Sequence, residues 1–216
     1  MTYYTALNGL PYPAPTDTAD LPAHLQTLAE GIDARMVLRY ATAAARDAAV
    51  TTPAAGMVAW LATPGTLSYY TGSAWVTLGA WNSYTPTWTA VTTNPAIGNG
   101  TLTGKYAVVG KVCHFTMYAA FGTTTTFGSG LYSFGLPVDS GTMGGLVQFG
   151  GMATAPSLRA AINCQSTASA AASSYTIWGP TSTSSSSIGQ LGSAGIFGTA
   201  FGSGNVIRVA GTYEVA

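Results

Sequence analysis

The sequence predicts a mainly β protein with a short helix near its N-terminus, and three observations point there. From Trp81 onward, apolar and polar residues alternate with a period of two. Gly, Ser and Thr turn signals recur at the spacing of a sandwich or jelly roll. A spacing of 4, 3 and 4 between apolar residues occurs near the N-terminus, at Leu21, Leu25, Leu28 and Ile32. The expected order is a leader with an oligomerising helix (1–38), a small β-hairpin module (39–80) and a C-terminal jelly-roll-like antiparallel β-sandwich (81–216).

The leader is punctuated by proline between Leu10 and Pro15, which cannot continue a helix and reads as extended chain. Asp20 is placed to cap the helix that follows, and Pro22 falls in its first turn, where a missing N–H costs little. Gly31 weakens the helix. Burial of Leu21, Leu25, Leu28 and Ile32 falls short of the entropy of ordering the segment. The stripe must therefore pack on another part of the chain or on copies of itself, and two heptads suit a short trimeric bundle. His24, with no titratable cluster beside it, reads as a solvent-facing or capping residue.

Between Arg39 and Leu78 an Ala-rich helical turn precedes two short strand-like runs, with turn signals at Pro64-Gly65 and at Thr71-Gly72-Ser73. Trp60, Tyr69, Tyr70 and Trp75 are the expected core of this module. Arg46 and Asp47 are sequence neighbours rather than an i, i+4 pair, so no ion pair is expected between them.

In the third segment, Cys113, Phe115, Met117 and Ala119 alternate with Val112, His114, Thr116 and Tyr118. Ile207, Val209, Gly211, Tyr213 and Val215 alternate with Val206, Arg208, Ala210, Thr212 and Glu214. Further strands are expected near Leu131–Leu136, Leu146–Met152, Leu158–Asn163, Tyr175–Trp178 and Gly195–Phe201. The polar runs Thr123–Thr126 and Thr181–Ser187 read as exposed, flexible loop tips.

Composition narrows the function. Of 216 residues only 6% are charged, against about 25% in ordinary soluble domains, while 50 are Ser or Thr and 27 are Gly. Seven basic and seven acidic residues cancel, and eight of the fourteen lie in the first 50 positions, Arg35 among them. Nucleic acid and anionic membranes bind through clustered Lys and Arg, which are missing, so neither is an expected partner. Mean hydropathy is +0.28, yet no apolar run approaches a membrane span of about 18 residues. The opening MTYYTALNGLPYPAP lacks the basic start and apolar centre of a signal peptide, so nothing points to Sec-type export.

Catalysis needs converging titratable groups, and the third segment holds Asp139, Glu214 and His114 alone. Cys113 and His114 point to opposite faces of a strand and cannot form a nucleophile-base couple. Nothing in the sequence fixes a separation between Asp139 and Glu214. Cys113 and Cys164 read as free thiols or as one bridge, not as a zinc site. No catalytic, metal or cofactor site is expected, and no cofactor. A surface of Thr, Ser, Tyr, Trp and Gly suits hydrogen bonding and stacking on sugars. Tyr132, Tyr175 and Trp178, with Phe127, are the aromatic residues open to a ligand-contacting role; core packing is the alternative for each.

The strings AAARDAAV, PAAGMVAWLA and LSYYTGSAWVTL, followed by WNSYTPTWTA and NPAIGNGTLTGKYAVVGKV, resemble the small module and the start of the β domain in bacteriophage minor structural and tail-fibre proteins, those of actinobacteriophages in particular. The resemblance covers most of 39–112; beyond Val112 only the general character agrees. It implies a non-enzymatic virion protein of the tail or baseplate. Such proteins are usually homotrimers, attached to other virion proteins through the N-terminal segment, with a jelly-roll-like tip facing the host; the resemblance names no receptor, and a host cell-surface glycan is the partner that the Ser, Thr and aromatic surface suggests. A head fibre, decoration or baseplate component without receptor binding and a carbohydrate-binding adhesin module are the alternative readings.

Overall fold

The computed structural model describes residues 2–6, 9–33, 36–142, 145–169, 171–183 and 187–215. Arg35 and the centre of the Ser/Thr run, 184–186, lie outside them. The architecture is mainly β, and the chain divides into two units, Met1–Leu78 and Gly79–Ala216.

In the first unit, β1 (Thr2–Tyr4) and β2 (Pro11–Pro13) form an antiparallel hairpin on which Tyr3 and Tyr12 stack at 5.6 Å. The proline-rich leader is extended as expected, but it is paired, because each strand is an edge and proline costs an edge no ladder bond. Helix α1 (Leu21–Asp33) starts where Asp20 Oδ1 accepts the Ala23 N–H at 3.1 Å. Gln26 Nε2 donates to Glu30 Oε1 one turn on, at 2.8 Å. His24 is half-buried and lines a small cleft with Pro11, Pro13 and Thr27.

β3 (Val37–Tyr40), helix α2 (Ala43–Ala49), β4 (Val58–Leu61), β5 (Thr66–Tyr70) and β6 (Trp75–Thr77) complete this unit as a four-stranded sheet in the order β3-β4-β5-β6. The pair β3-β4 is parallel and α2 supplies its crossover, so the module is more than a hairpin. Two expectations for it are corrected. Trp60 and Tyr69 are exposed, because strand alternation turns them away from the face that holds Ala59, Leu61 and Ser68. Arg46 does pair with Asp47: its Nε and Nη2 donate to Asp47 Oδ1 at 2.9 and 2.8 Å. The cause is burial. Arg46 is 5% exposed, donates from Nη1 to Ser68 Oγ at 3.2 Å and lies 4.4 Å over the Trp75 ring.

The second unit contains β7 (Asn82–Tyr84), β8 (Trp88–Ala90), β9 (Thr101–Val109), β10 (Val112–Ala120), β11 (Tyr132–Gly135), β12 (Gln148–Ala155), β13 (Leu158–Ser166), β14 (Ser174–Pro180), β15 (Ile188–Gln190) and β16 (Val206–Glu214). They make one antiparallel sheet in the order β7-β9-β10-β16-β12-β13-β14-β11-β8, with β15 added to β14. β7 and β8 lie at opposite ends of this path, yet only residues 85–87 separate them in the chain, so the sheet has to curl until its two edges nearly meet. The core confirms the curl. Phe115 on β10 contacts Tyr175 on β14, at 5.8 Å between ring centres, although four strand spacings of about 4.8 Å separate them along the sheet. A single curled sheet whose halves face each other across a core is consistent with the expected sandwich.

That core holds Phe115, Phe149, Tyr175 and Tyr213 in one aromatic group and Trp88, Phe121, Tyr132 and Phe134 in another. The alternation read in β10 and β16 holds: Cys113, Phe115, Met117 and Ala119, with Ile207, Val209 and Tyr213, all point inward. β9, a strand of nine residues, has no counterpart among the expected strands; its partner β10 is reached through the two-residue turn Gly110-Lys111, with Gly110 at φ +59°. The strand expected at Gly195–Phe201 is a turn instead, because Gly195, Phe197 and Gly198 all take positive φ. The threonine run 123–126 is a pinned loop: Asn99 Nδ2 donates to Thr123 Oγ1, and the Thr124 N–H donates to Asn99 Oδ1, each at 3.0 Å.

Candidate functional site on the outer face of the sheet

Strand alternation that sends Phe115, Met117, Ile207 and Val209 inward sends their neighbours outward. Register then sets those neighbours side by side. Tyr118 pairs with Thr103 on one flank and Arg208 on the other, and Met152 follows Arg208. One row along, Lys105, Thr116, Ala210 and Gly150 stand in line. Because Gly150 and Ala210 project almost nothing, the rows sink between taller neighbours into an open groove of about 980 Å³, walled on one side by Ser83, Tyr84 and Thr85. The floor is apolar and its volume lies at the upper end of ligand sites, about 300–1,000 Å³.

Lys105 and Arg208 are the charged residues that line it. The Arg208 guanidinium lies 5.0 Å over the Tyr118 ring, an attraction of about 0.5–1 kcal/mol for an exposed cation that favours this placement. Tyr84, whose backbone borders the groove, turns its ring to the inner face over Gly104 and packs edge-on against Tyr106 at 5.9 Å, and its hydroxyl is buried without a hydrogen-bond partner among the described residues. Burial, with a smaller contribution from Cys113, pushes its pKa far above the usual phenol value, so it stays neutral.

The residues expected from the sequence fall elsewhere. Tyr132 and Tyr175 are both 0% exposed and offer a ligand no surface. They are core residues because their strands β11 and β14 place them on the inner face; the Tyr132 hydroxyl donates to the Phe127 carbonyl at 2.8 Å. Phe127 itself stands edge-on to Trp88 and Phe121 in that core. Trp178 is on the outer face, half-buried, its Nε1 donating to Thr176 Oγ1 at 2.9 Å, but it stands two strands beyond Gly150 and outside the groove lining. Leu21 and Leu25 on α1 are 68% and 55% exposed, while Leu28 and Ile32 are half-buried. Leu21, Leu25 and Leu28 with Leu10 and Tyr12 flank a second, apolar groove of about 280 Å³ beside the β1-β2 hairpin.

Cys113 and Cys164 are free buried thiols, and burial raises the pKa of both, that of Cys164 up to about 12. His114 faces outward, its Nδ1 2.9 Å from Thr212 Oγ1, on the opposite side of β10 from Cys113. The main chain brings the segments of Asp139 and Glu214 together, since Ser140 bridges Val215 and the Gly141 N–H donates to the Glu214 carbonyl at 2.8 Å. Both of those carboxylate side chains are exposed. Among the described residues no three His, Cys, Asp or Glu side chains converge, and no helix is long and apolar enough to cross a membrane.

Tyr118, Lys105, Arg208 and Met152 were not legible as a site, although the alternation that exposes Tyr118 and Arg208 was. What the alternation does not give is the pairing of β10 with β16, about 90 residues away in the chain, which stacks the two side chains. No family model, curated protein or solved structure matches the chain.

Proposed function

We propose that this chain is a non-enzymatic virion structural protein, a phage tail-fibre or receptor-binding protein whose unit Gly79–Ala216 meets the host surface. The observation that carries the reading is the open groove on the outer sheet face, with a stacked aromatic-cation pair on a floor of small residues. Such a face suits recognition of a polymer laid across it. The resemblance of residues 39–112 to phage structural proteins adds to it.

The unit Met1–Leu78 serves assembly. Leu21 and Leu25 stay exposed in the single chain, and three copies packed along α1 would bury them around a common axis. Native mass measurement of the full chain is expected to give a homotrimer, and Leu25→Asp, placed on an exposed position, is expected to return it to monomer with its β content unchanged. A wild-type monomer at micromolar concentration would remove the trimer.

A purely structural role, as head fibre, decoration or baseplate component, has its own support. Val37, Tyr69 and Val76 form an exposed apolar row across the small sheet, a face suited to packing against other virion parts. Antibody against Gly79–Ala216 separates the two readings: labelling at the tail tip with blocked adsorption supports receptor binding, whereas capsid labelling with undiminished adsorption supports the structural role.

A further inference from the structure

The charge pattern of the groove is more specific than its shape. Unit Gly79–Ala216 holds four cations, Lys105, Lys111, Arg159 and Arg208, and two acids, Asp139 and Glu214. Two of the cations and neither acid line the groove. Neither Lys105 nor Arg208 is ion-paired or hydrogen-bonded through its side chain to another described residue, so both charges remain available. Register places Lys105 opposite Thr116 and Arg208 opposite Tyr118, two strands and two residues apart, or about 12 Å between Cα atoms. The two cations therefore stand on one open face, with no acid among the residues that line it. They suit an anionic ligand long enough to lie along the groove, and the floor continues past β16 onto β12, where a side chain added at Gly150 would meet nothing within 4 Å.

We propose that this groove binds an anionic polysaccharide, with its carboxylate or phosphate groups on Arg208 and Lys105 and its sugar rings over the Gly150 and Ala210 floor. The proposal rests on the host-surface reading and names the ligand class for that site. Two cations are too few for the counterion release that drives nucleic-acid binding, whereas a guanidinium donates well to either anionic group of a glycan.

The test uses the full chain and four polymers: a polyuronate, the same polymer with its carboxyls reduced to alcohols, a glycerol-phosphate polymer and single-stranded DNA. Binding to the polyuronate, the glycerol-phosphate polymer or both is expected, and these two arms distinguish carboxylate from phosphate as the anion. Binding should be lost on carboxyl reduction and fall with added salt. Arg208→Gln and Lys105→Gln should each weaken it by about tenfold or more. Both side chains are exposed, so the variants should keep the wild-type circular dichroism and urea midpoint. Equal binding to the reduced polymer, preference for DNA, no binding to either anionic glycan, or indifference to both substitutions would overturn the proposal. A changed native mass in either variant would also overturn it, because the groove would then be a contact between copies. Wild-type protein that blocks adsorption yet ignores the anionic polymers overturns this inference and leaves the host-surface reading standing.

Discussion

Gly211 and Gly150 show how one residue type serves two purposes in adjoining strands. Gly211 on β16 lies against the Phe149 and Phe115 rings, so a Cβ there would collide with both. Gly150 on β12 has open space above it. Gly211→Ala is therefore expected to cost about 1–3 kcal/mol, because rigid rings in a packed core cannot retreat, and Gly150→Ala is expected to be close to neutral. Urea denaturation of the two variants checks this: equal midpoints would mean that the aromatic group is less tightly packed than its ring separations of 5.1 to 5.8 Å indicate.

At the scale of elements, the junction of α2 with the small sheet is organised by a buried cation. So few large side chains point inward that Arg46 fills the space, its stem packed and its head shared among Asp47, Ser68 and the Trp75 ring. Ser68 in turn donates to the Ala59 carbonyl at 3.2 Å. Arg46→Ala is expected to destabilise the chain by about 2–4 kcal/mol through the lost packing, stacking and hydrogen bond. Arg46→Lys should recover little, since an ammonium cannot stack and hydrogen-bond in the same fork geometry. Arg46→Met should recover more, because Asp47 is largely exposed and water can solvate its carboxylate. Thermal melts of the three variants check the order; a Lys variant as stable as wild type would refute it.

At the scale of the molecule, the interior of the curled sheet holds phenols and thiols that must stay neutral. Burial raises Cys164 from 9.0 to about 12 and lifts Tyr132, Tyr175 and Tyr213 well above the usual phenol value. A folded-state pKa above the unfolded one gives stability that is complete below the unfolded value and lost as pH rises toward the folded value. Between about pH 7 and pH 9 the urea midpoint is thus expected to stay level, and between about pH 9 and pH 12 to fall steadily. A midpoint that holds constant to pH 11 would mean that these groups ionise as easily in the fold as out of it.

The period-two pattern in 112–119 and 206–215 determined on its own that these segments are strands and which side chains point inward, because alternation is a local property of extended chain. The Asp20 cap and the leucine spacing likewise determined α1. Strand partners were decided only by tertiary structure. β9 is closed on β10 by a local turn, but β16 joins β10 and β12 across long stretches of chain, and residues 85–87 tie the ends of the path together. Those pairings buried Tyr132 and Tyr175, which composition alone left open as binders, and set Arg208 beside Tyr118 in a groove that no stretch of sequence announces. Alternation says which face a side chain takes; only closure of the sheet says what stands next to it.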